Sequence, residues 1–281
     1  MSHDSKRAKS GSAPIVDLGE SLLLIDEHEE EISVDGKPVR AKGIYLLPNL
    51  FTTGALFAGF YAVIAGIDGR FEAAAIAIFV AMIFDGLDGR VARMTNTQSK
   101  FGAEYDSLSD CVAFGVAPGL VAYAWALSGL GKFGWVAAFI YVACAALRLA
   151  RFNVARKEEM PGKGSENAFF VGVPSPAGAA LVMLPMFISF GFGTDPVLPD
   201  LLLALYMGGI GLLMISRVPT WSFKTVKVPR GDVRIFMVGF VLVGALLVTY
   251  AWLSLIALCF VYIGVVIWKL ITRPRGLGKP E

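Results

Sequence analysis

An all-α integral membrane protein with eight spans is the fold class this sequence predicts, and three observations predict it. The 281 residues are 56% hydrophobic and only 17% charged, where average soluble domains carry about 25% charge. From residue 44 onward, uncharged runs long enough to cross a bilayer follow one another. Lys and Arg gather on one side of the spans that these runs define. The composition excludes a disordered chain, a collagen-like chain and a nucleic-acid-binding domain. Net charge is only +2, so the placement of charge, not its sum, carries information. Cys111, Cys144 and Cys259 lie in apolar stretches without metal-ligand spacing, and no disulfide framework follows from them.

Residues 1–43 form a polar N-terminal extension, with basic Lys6, Arg7 and Lys9 and an acidic cluster from Asp26 to Glu31. The Val34-Asp35-Gly36-Lys37 stretch suits a hairpin turn, because Asp-Gly favours positive φ. No apolar core follows the first basic residues, which argues against a signal peptide. The extension reads as partly ordered, cytoplasmic and without chemistry of its own.

The apolar runs come next. Ile44 to Ile67 has 24 residues without a charge, enough for a ~30 Å hydrocarbon core at ~1.5 Å per residue. Phe71 to Arg90 is a second span with Asp85 and Asp88 at its far end, and Cys111 to Gly131 a third. Phe133 to Val154 is a fourth, with Arg148 and Arg151 near its end. Asn167 to Thr194 is a fifth, containing Pro174, Pro176 and Pro185, and Leu201 to Ser216 a sixth. Residues 44–217 thus make a six-helix body. Residues 218–281 add a basic loop, the uncharged run from Ile235 to Trp268 and a short tail. As one helix that run would reach about 51 Å, too long for an ordinary crossing, so two spans breaking near Tyr250 to Ser254 are expected.

Charge placement supports eight spans with both termini inside. All but two of the 25 Lys and Arg then lie in the extension, the inner loops, the inner helix ends or the tail; only Arg70 and Lys132 face outward. The positive-inside rule predicts this bias, and seven spans would put Arg273, Arg275 and Lys279 outside.

The chemistry sits between the second and third spans. Asp85, Asp88, Asp106 and Asp110 fall within 26 residues. Spacings of three and four put each pair on one helix face, and a hairpin of the two helices unites them. Four close carboxylates in a partly dry site cannot all stay ionised unaided. Hard divalent cations such as Mg²⁺ or Mn²⁺ are the natural remedy, and Mg²⁺ characteristically joins carboxylates to substrate phosphates. Gly86, Gly89, Gly102 and Ala92 keep one face low for a bulky ligand, at a cost in helix stability. Arg93 offers a planar charged fork suited to phosphate oxygens. A nucleotide diphosphate site built on helices is the result. A divalent-cation transporter is the competing reading, since intramembrane carboxylates also mark ion pathways. It would place acids at mid-membrane and gives no reason for Gly89-x-x-Ala92-Arg93.

The run Asp85-x-x-Asp88-Gly89-x-x-Ala92-Arg93, then eight residues, then Gly102-x-x-x-Asp106-x-x-x-Asp110 resembles the signature of the CDP-alcohol phosphatidyltransferases. The resemblance implies a six-helix catalytic core in residues 44–217, usually dimeric, with two divalent cations per site and a mouth at the cytoplasmic leaflet. It implies transfer of a phosphatidyl group from CDP-diacylglycerol to an alcohol, with release of CMP. On this likeness Asp85, Asp88 and Asp106 would be metal ligands, and Asp110 both a ligand and the general base. Gly89, Ala92 and Arg93 would line the CDP pocket, with Ser99 beside them. Asn49 and Thr52, in Pro48-Asn49-Leu50-Phe51-Thr52, look like the family's other nucleotide-side element; the plain alternative is a helix start.

Leu147-Arg148-Leu149-Ala150-Arg151-Phe152-Asn153, Phe170 to Pro176 and the Tyr105 to Asp110 wording of the motif are similar to the bacterial phosphatidylserine synthase branch. That likeness implies L-serine as acceptor, a homodimer in the inner membrane among membrane lipids, and acceptor contacts from Arg148, Arg151 and Asn153. Arg148 and Arg151, one turn apart, suit serine's carboxylate; snorkelling to the inner surface is their alternative. Glycerol 3-phosphate is the alternative acceptor, for which Arg148, Arg151, Arg156 and Lys157 would form a basic cluster. The expected mechanism has Asp110 take the hydroxyl proton while metal stabilises the diphosphate and the leaving CMP.

Overall fold

Apolar runs without an internal breaker fold as the long helices expected of them. A computed structural model describes residues 33–34, 37–38, 46–95, 100–158, 172–194, 196, 198–216, 244–246 and 249–272. The chain divides into two units, Met1–Lys42 and Gly43–Glu281. In the first, strand β1 (Ser33–Val34) pairs antiparallel with β2 (Lys37–Pro38), in the register Ser33 to Pro38 and Val34 to Lys37. That register leaves two residues for the turn, as the Asp-Gly pair predicts.

The second unit is helical. Helix α1 (Leu46–Ile67) and α2 (Phe71–Met94) are joined by a tight turn in which Gly69 takes φ +74° and the Arg70 N–H donates to the Ala65 carbonyl at 2.8 Å. They form the most extensive helix pair of the unit. Small side chains fill the interior around this pair: Ala55, Ala58, Ala62 and Ala65 on α1, and Ala74 and Ala81 on α2, are all buried. Phe57, Phe60, Ile76 and Ile83 on the same helices are exposed. Lipid tails are as apolar as any side chain, so close backbone approach decides what goes inside.

Helix α3 (Lys100–Asp110) does not stop where the acids end. It runs on through a π-helical turn (Cys111–Val116), α4 (Ala117–Ala122), a second π-helical turn (Tyr123–Leu127) and a 3₁₀ turn (Ser128–Leu130). The third span, expected from Cys111, is therefore part of an apolar helix from Phe101 to Leu130 that carries Asp106 and Asp110 on its own first turns. Helix α5 (Lys132–Glu158) follows.

Prolines free two backbone carbonyls in the helices, and tyrosines satisfy them. Pro118 has no N–H for the Phe114 carbonyl four residues back, and Tyr141 of α5 donates its hydroxyl to that carbonyl at 2.9 Å. Pro185 likewise leaves the Leu181 carbonyl open, and Tyr206 donates to it at 2.5 Å. The fifth expected span is accordingly two helices, α6 (Ser175–Val182) and α7 (Leu184–Phe192), bent by 45° at Met183. Helix α8 (Asp200–Ile215) and α9 (Ala251–Ile271) complete the described set. The expected break appears at Tyr250, which is non-helical at φ −130° and ψ 56°.

Four helices among the described residues are long and apolar enough to cross a membrane, and five when α6 and α7 count as one span. This is a multi-pass membrane protein, but eight such helices are not seen. Helix α2 is long enough yet carries Glu72, Asp85, Asp88, Arg90 and Arg93. Helix α8 has 16 residues, about 24 Å at the helical rise. Most of the expected seventh span, 235–250, lies outside the described residues.

Candidate active site

The α1–α2 pair and the first turns of α3 bring the four acids together. One carboxylate oxygen from each of Asp85, Asp88 and Asp106 lies within 4.8 Å of the others. Across the α2–α3 interface, Asp85 meets Asp110 and Asp88 meets Asp106, carboxyl to carboxyl, at hydrogen-bonding range. Such pairs are stable only with a shared proton or a cation between them.

The donor set fits a hard divalent ion. Oxygen ligands at ~2.1 Å from an octahedral Mg²⁺ are themselves ~3–4 Å apart, so the observed triad needs only a small contraction to close on one. The acids are also partly immobilised by their surroundings. Asp88 is 6% exposed and accepts a hydrogen bond from the Thr52 hydroxyl at 2.8 Å, and Thr52 itself is 3% exposed. The Ser109 hydroxyl donates to the Thr52 carbonyl at 3.1 Å, tying α3 to α1. Thr53 and Tyr105 add a hydroxyl-to-hydroxyl contact of 2.9 Å between the same helices.

Glycines in the unit divide by what a side chain would meet. A Cβ on Gly59 would stand 2.7 Å from Cα of Ala113, so that glycine serves helix packing. A Cβ on Gly86 or Gly89 would meet nothing within 4 Å. Among the described residues no contact asks for a bare backbone there, and the face they share beside the acids is open to a ligand. Ala92 is half-buried one turn on, and Arg93 is exposed, its Nε donating to the Gly89 carbonyl at 2.7 Å. Asn49 is half-buried near the start of α1, and its carbonyl accepts from the Thr53 hydroxyl at 2.7 Å. Ser99 lies outside the described residues.

The three expected acceptor residues part company. Arg148 is half-buried on α5, donates from one terminal nitrogen to the Ser175 hydroxyl at 2.8 Å and lies within electrostatic reach of Asp110. Arg151, one turn on, is exposed and donates to the Ile215 carbonyl at 3.0 Å. It thereby satisfies the last turn of α8, where carbonyls otherwise lack partners. Asn153 accepts through Oδ1 from the Ser107 hydroxyl at 3.1 Å, linking α5 to α3 beside the acids. Ser109 and Ser175, both buried, are additions that the sequence does not announce. Only Ser175's place at the start of a Pro-flanked helix hints at its position.

A sequence model of the CDP-alcohol phosphatidyltransferase family matches residues 45–215, which hold all four acids, the open glycine face and the Arg148–Ser175 contact. Over 184 residues, 66% of this chain and 75% of the relative, it is 39% identical to a protein of Helicobacter pylori (strain ATCC 700392 / 26695) named CDP-diacylglycerol--serine O-phosphatidyltransferase. A protein of the same name from Mycobacterium leprae (strain TN) is 36% identical over 224 residues, 80% of this chain and 74% of the relative. Another, from Methanocaldococcus jannaschii, is 37% identical over 199 residues, 71% of this chain and 83% of the relative. Four facing carboxyls on two helices, the open backbone beside them and these matches have one meaning: the chain belongs to the CDP-alcohol phosphatidyltransferase family.

Proposed function

We propose that this protein transfers the phosphatidyl group of CDP-diacylglycerol to the hydroxyl of L-serine, forming phosphatidylserine and CMP. The observation that carries the transfer chemistry is the facing of Asp85 with Asp110 and of Asp88 with Asp106 beside the uncovered backbone of Gly86 and Gly89. The choice of serine is supported by the names of the relatives and by a half-buried arginine within electrostatic reach of Asp110.

Asp85, Asp88, Asp106 and Asp110 would hold two divalent cations, Mg²⁺ or Mn²⁺, which when bound would neutralise the diphosphate and make CMP a better leaving group. The chain's own residues do the rest. The Gly86–Gly89 face admits the nucleotide, Ala92 keeps it low, and Arg93, exposed at its edge, pairs with phosphate oxygen. Asn49 and Ser99 flank the nucleotide, and Thr52 orients Asp88. Asp110, at the start of the π-helical turn and nearest Arg148 among the acids in charge, takes the serine hydroxyl proton as that oxygen closes on phosphorus. Arg148 draws the serine carboxylate to the same side. The phosphorus–oxygen bond to CMP breaks as the new ester bond forms.

The protein is further proposed to be a homodimer in the inner membrane, with eight spans and both termini cytoplasmic, as the charge bias of the loops supports. The test of function is purified protein with CDP-diacylglycerol, Mn²⁺ or Mg²⁺ and a panel of radiolabelled acceptors. Serine-dependent CMP release, with glycerol 3-phosphate and inositol inactive, is expected. Product from glycerol 3-phosphate but not serine would move the assignment to the phosphatidylglycerol phosphate reaction.

A further inference from the structure

The family match ends at residue 215, yet a residue far beyond it reaches the site. Helix α9 runs antiparallel to the bent α6–α7 pair. Near its start, Trp252 packs against Phe190 and Phe187, with ring centroids 4.9 and 6.2 Å apart. Ile256 lies against Gly191. Two turns past Trp252, Cys259 reaches the Ala180 carbonyl at 3.6 Å. One turn further, at the level of the α6 start where Ser175 holds Arg148, stands Tyr262, within electrostatic reach of that arginine.

Two polar atoms here have no partner. Nε of Arg148 and the hydroxyl of Tyr262 are shielded from solvent and lack hydrogen bonds among the described residues. Buried donors left without a partner are costly, and native structures rarely keep two such groups in one region without use. Both are donors, one on a permanent cation, and Asp110 is within electrostatic reach of the same guanidinium. Among the described residues no carboxylate bonds to either atom, and α9 itself carries no acid. The complement of two buried, unpartnered donors on neighbouring side chains, one of them cationic, is a carboxylate brought by a ligand.

The geometry points to Tyr262 as a specificity-determining residue that, with Arg148, binds the carboxylate of an amino-acid acceptor whose hydroxyl faces Asp110. This deepens the proposed serine reaction and rests on it. Helix α9, outside the family-matched region, then supplies the acceptor pocket with its outer wall, and it is the carboxylate that it reads.

The experiment compares wild-type protein with Tyr262→Phe in detergent, using serine and ethanolamine, which is serine without its carboxylate. Phe keeps the ring packing and removes only the donor, and CDP-diacylglycerol binding reports that the variant is folded. Tyr262→Phe is expected to raise KM for serine about tenfold or more, as loss of a hydrogen bond to a charged group does. Its slow transfer to ethanolamine should stay at the wild-type rate, so that serine-over-ethanolamine discrimination falls by the same factor. An unchanged KM for serine, or an equal loss with both acceptors, would overturn the inference while leaving the serine reaction standing. No wild-type transfer to serine would overturn that reaction and this inference together.

Discussion

The Thr52 hydroxyl donates to Asp88 across the α1–α2 interface at 2.8 Å, and both side chains are almost wholly buried. With one proton to give, Thr52 serves the carboxylate in preference to its own helix, whose Pro48 carbonyl is 3.2 Å away. One oxygen of Asp88 is thereby fixed, on a carboxylate that also meets Asp106. Such outer contacts orient ligands and typically matter 10–100-fold in metal affinity.

Thr52→Val keeps the shape and removes the donor. We expect it to raise the Mn²⁺ concentration needed for half-maximal CDP-diacylglycerol binding by about 10- to 100-fold, with little change in thermal stability. Metal titrations of wild type and variant read this directly. An unchanged metal requirement would leave Thr52 a packing residue only.

Gly89→Ala and Gly59→Ala should fail in opposite ways. The added methyl at Gly89 meets no protein atom, so the variant should fold normally and lose nucleotide binding. At Gly59 the methyl would strike Ala113 at 2.7 Å, and overpacking of this kind costs about 1–3 kcal/mol. Thermal aggregation in detergent and CDP-diacylglycerol binding, measured on both, separate the two outcomes. Normal nucleotide binding by Gly89→Ala would close the proposed ligand face.

Arg148→Lys and Arg151→Lys test the division of labour on α5. Arg148 bonds to Ser175 and lies within electrostatic reach of Asp110 and Tyr262, and its planar fork is not reproduced by a point charge. Its replacement should raise KM for serine at least tenfold, a loss of about 1.4 kcal/mol. Arg151 caps α8 from an exposed position, and its replacement should change stability by less than about 1 kcal/mol and KM hardly at all. Equal effects on serine KM would return both to one acceptor site.

Much of this arrangement is legible in the sequence, and the limits are physical. Spacings of three and four residues suffice to place Asp85 with Asp88 and Asp106 with Asp110, because helix periodicity is local. An apolar helix hairpin then leaves few ways to arrange them. The same rule pairs Arg148 with Arg151 but cannot report their partners, Ser175 at the start of α6 for one and the Ile215 carbonyl at the end of α8 for the other. Ser109's bond to the Thr52 backbone and Tyr141's to the Phe114 carbonyl join residues 57 and 27 positions apart, and no periodicity reports such pairs. The prolines announce a disturbed fifth span, but neither the 45° bend nor Tyr206's arrival at the freed Leu181 carbonyl is written in the local sequence. Tyr262 carries no signal at all, since one tyrosine in an apolar helix resembles any other.

Cysteine labelling tests the proposed topology. A cysteine placed in the Asp68–Arg70 turn should react with an impermeant reagent added from outside, and one at Lys100 should not. Labelling of both from one side would contradict the eight-span arrangement, in which α2 crosses between them.

Asp106→Asn against Asp110→Asn is the most direct measurement of the central claim, that the facing carboxyls bind the metal–nucleotide and that Asp110 also takes the acceptor's proton. CDP-diacylglycerol binding and serine-dependent CMP release are measured side by side on both variants in detergent with Mn²⁺. Asp110→Asn is expected to retain metal-dependent CDP-diacylglycerol binding while transfer falls by ~10²–10⁴-fold, the usual cost of losing a general base. Asp106→Asn is expected to lose binding and transfer together. Near-normal turnover by Asp110→Asn, or metal-dependent binding undiminished in Asp106→Asn, would contradict the account.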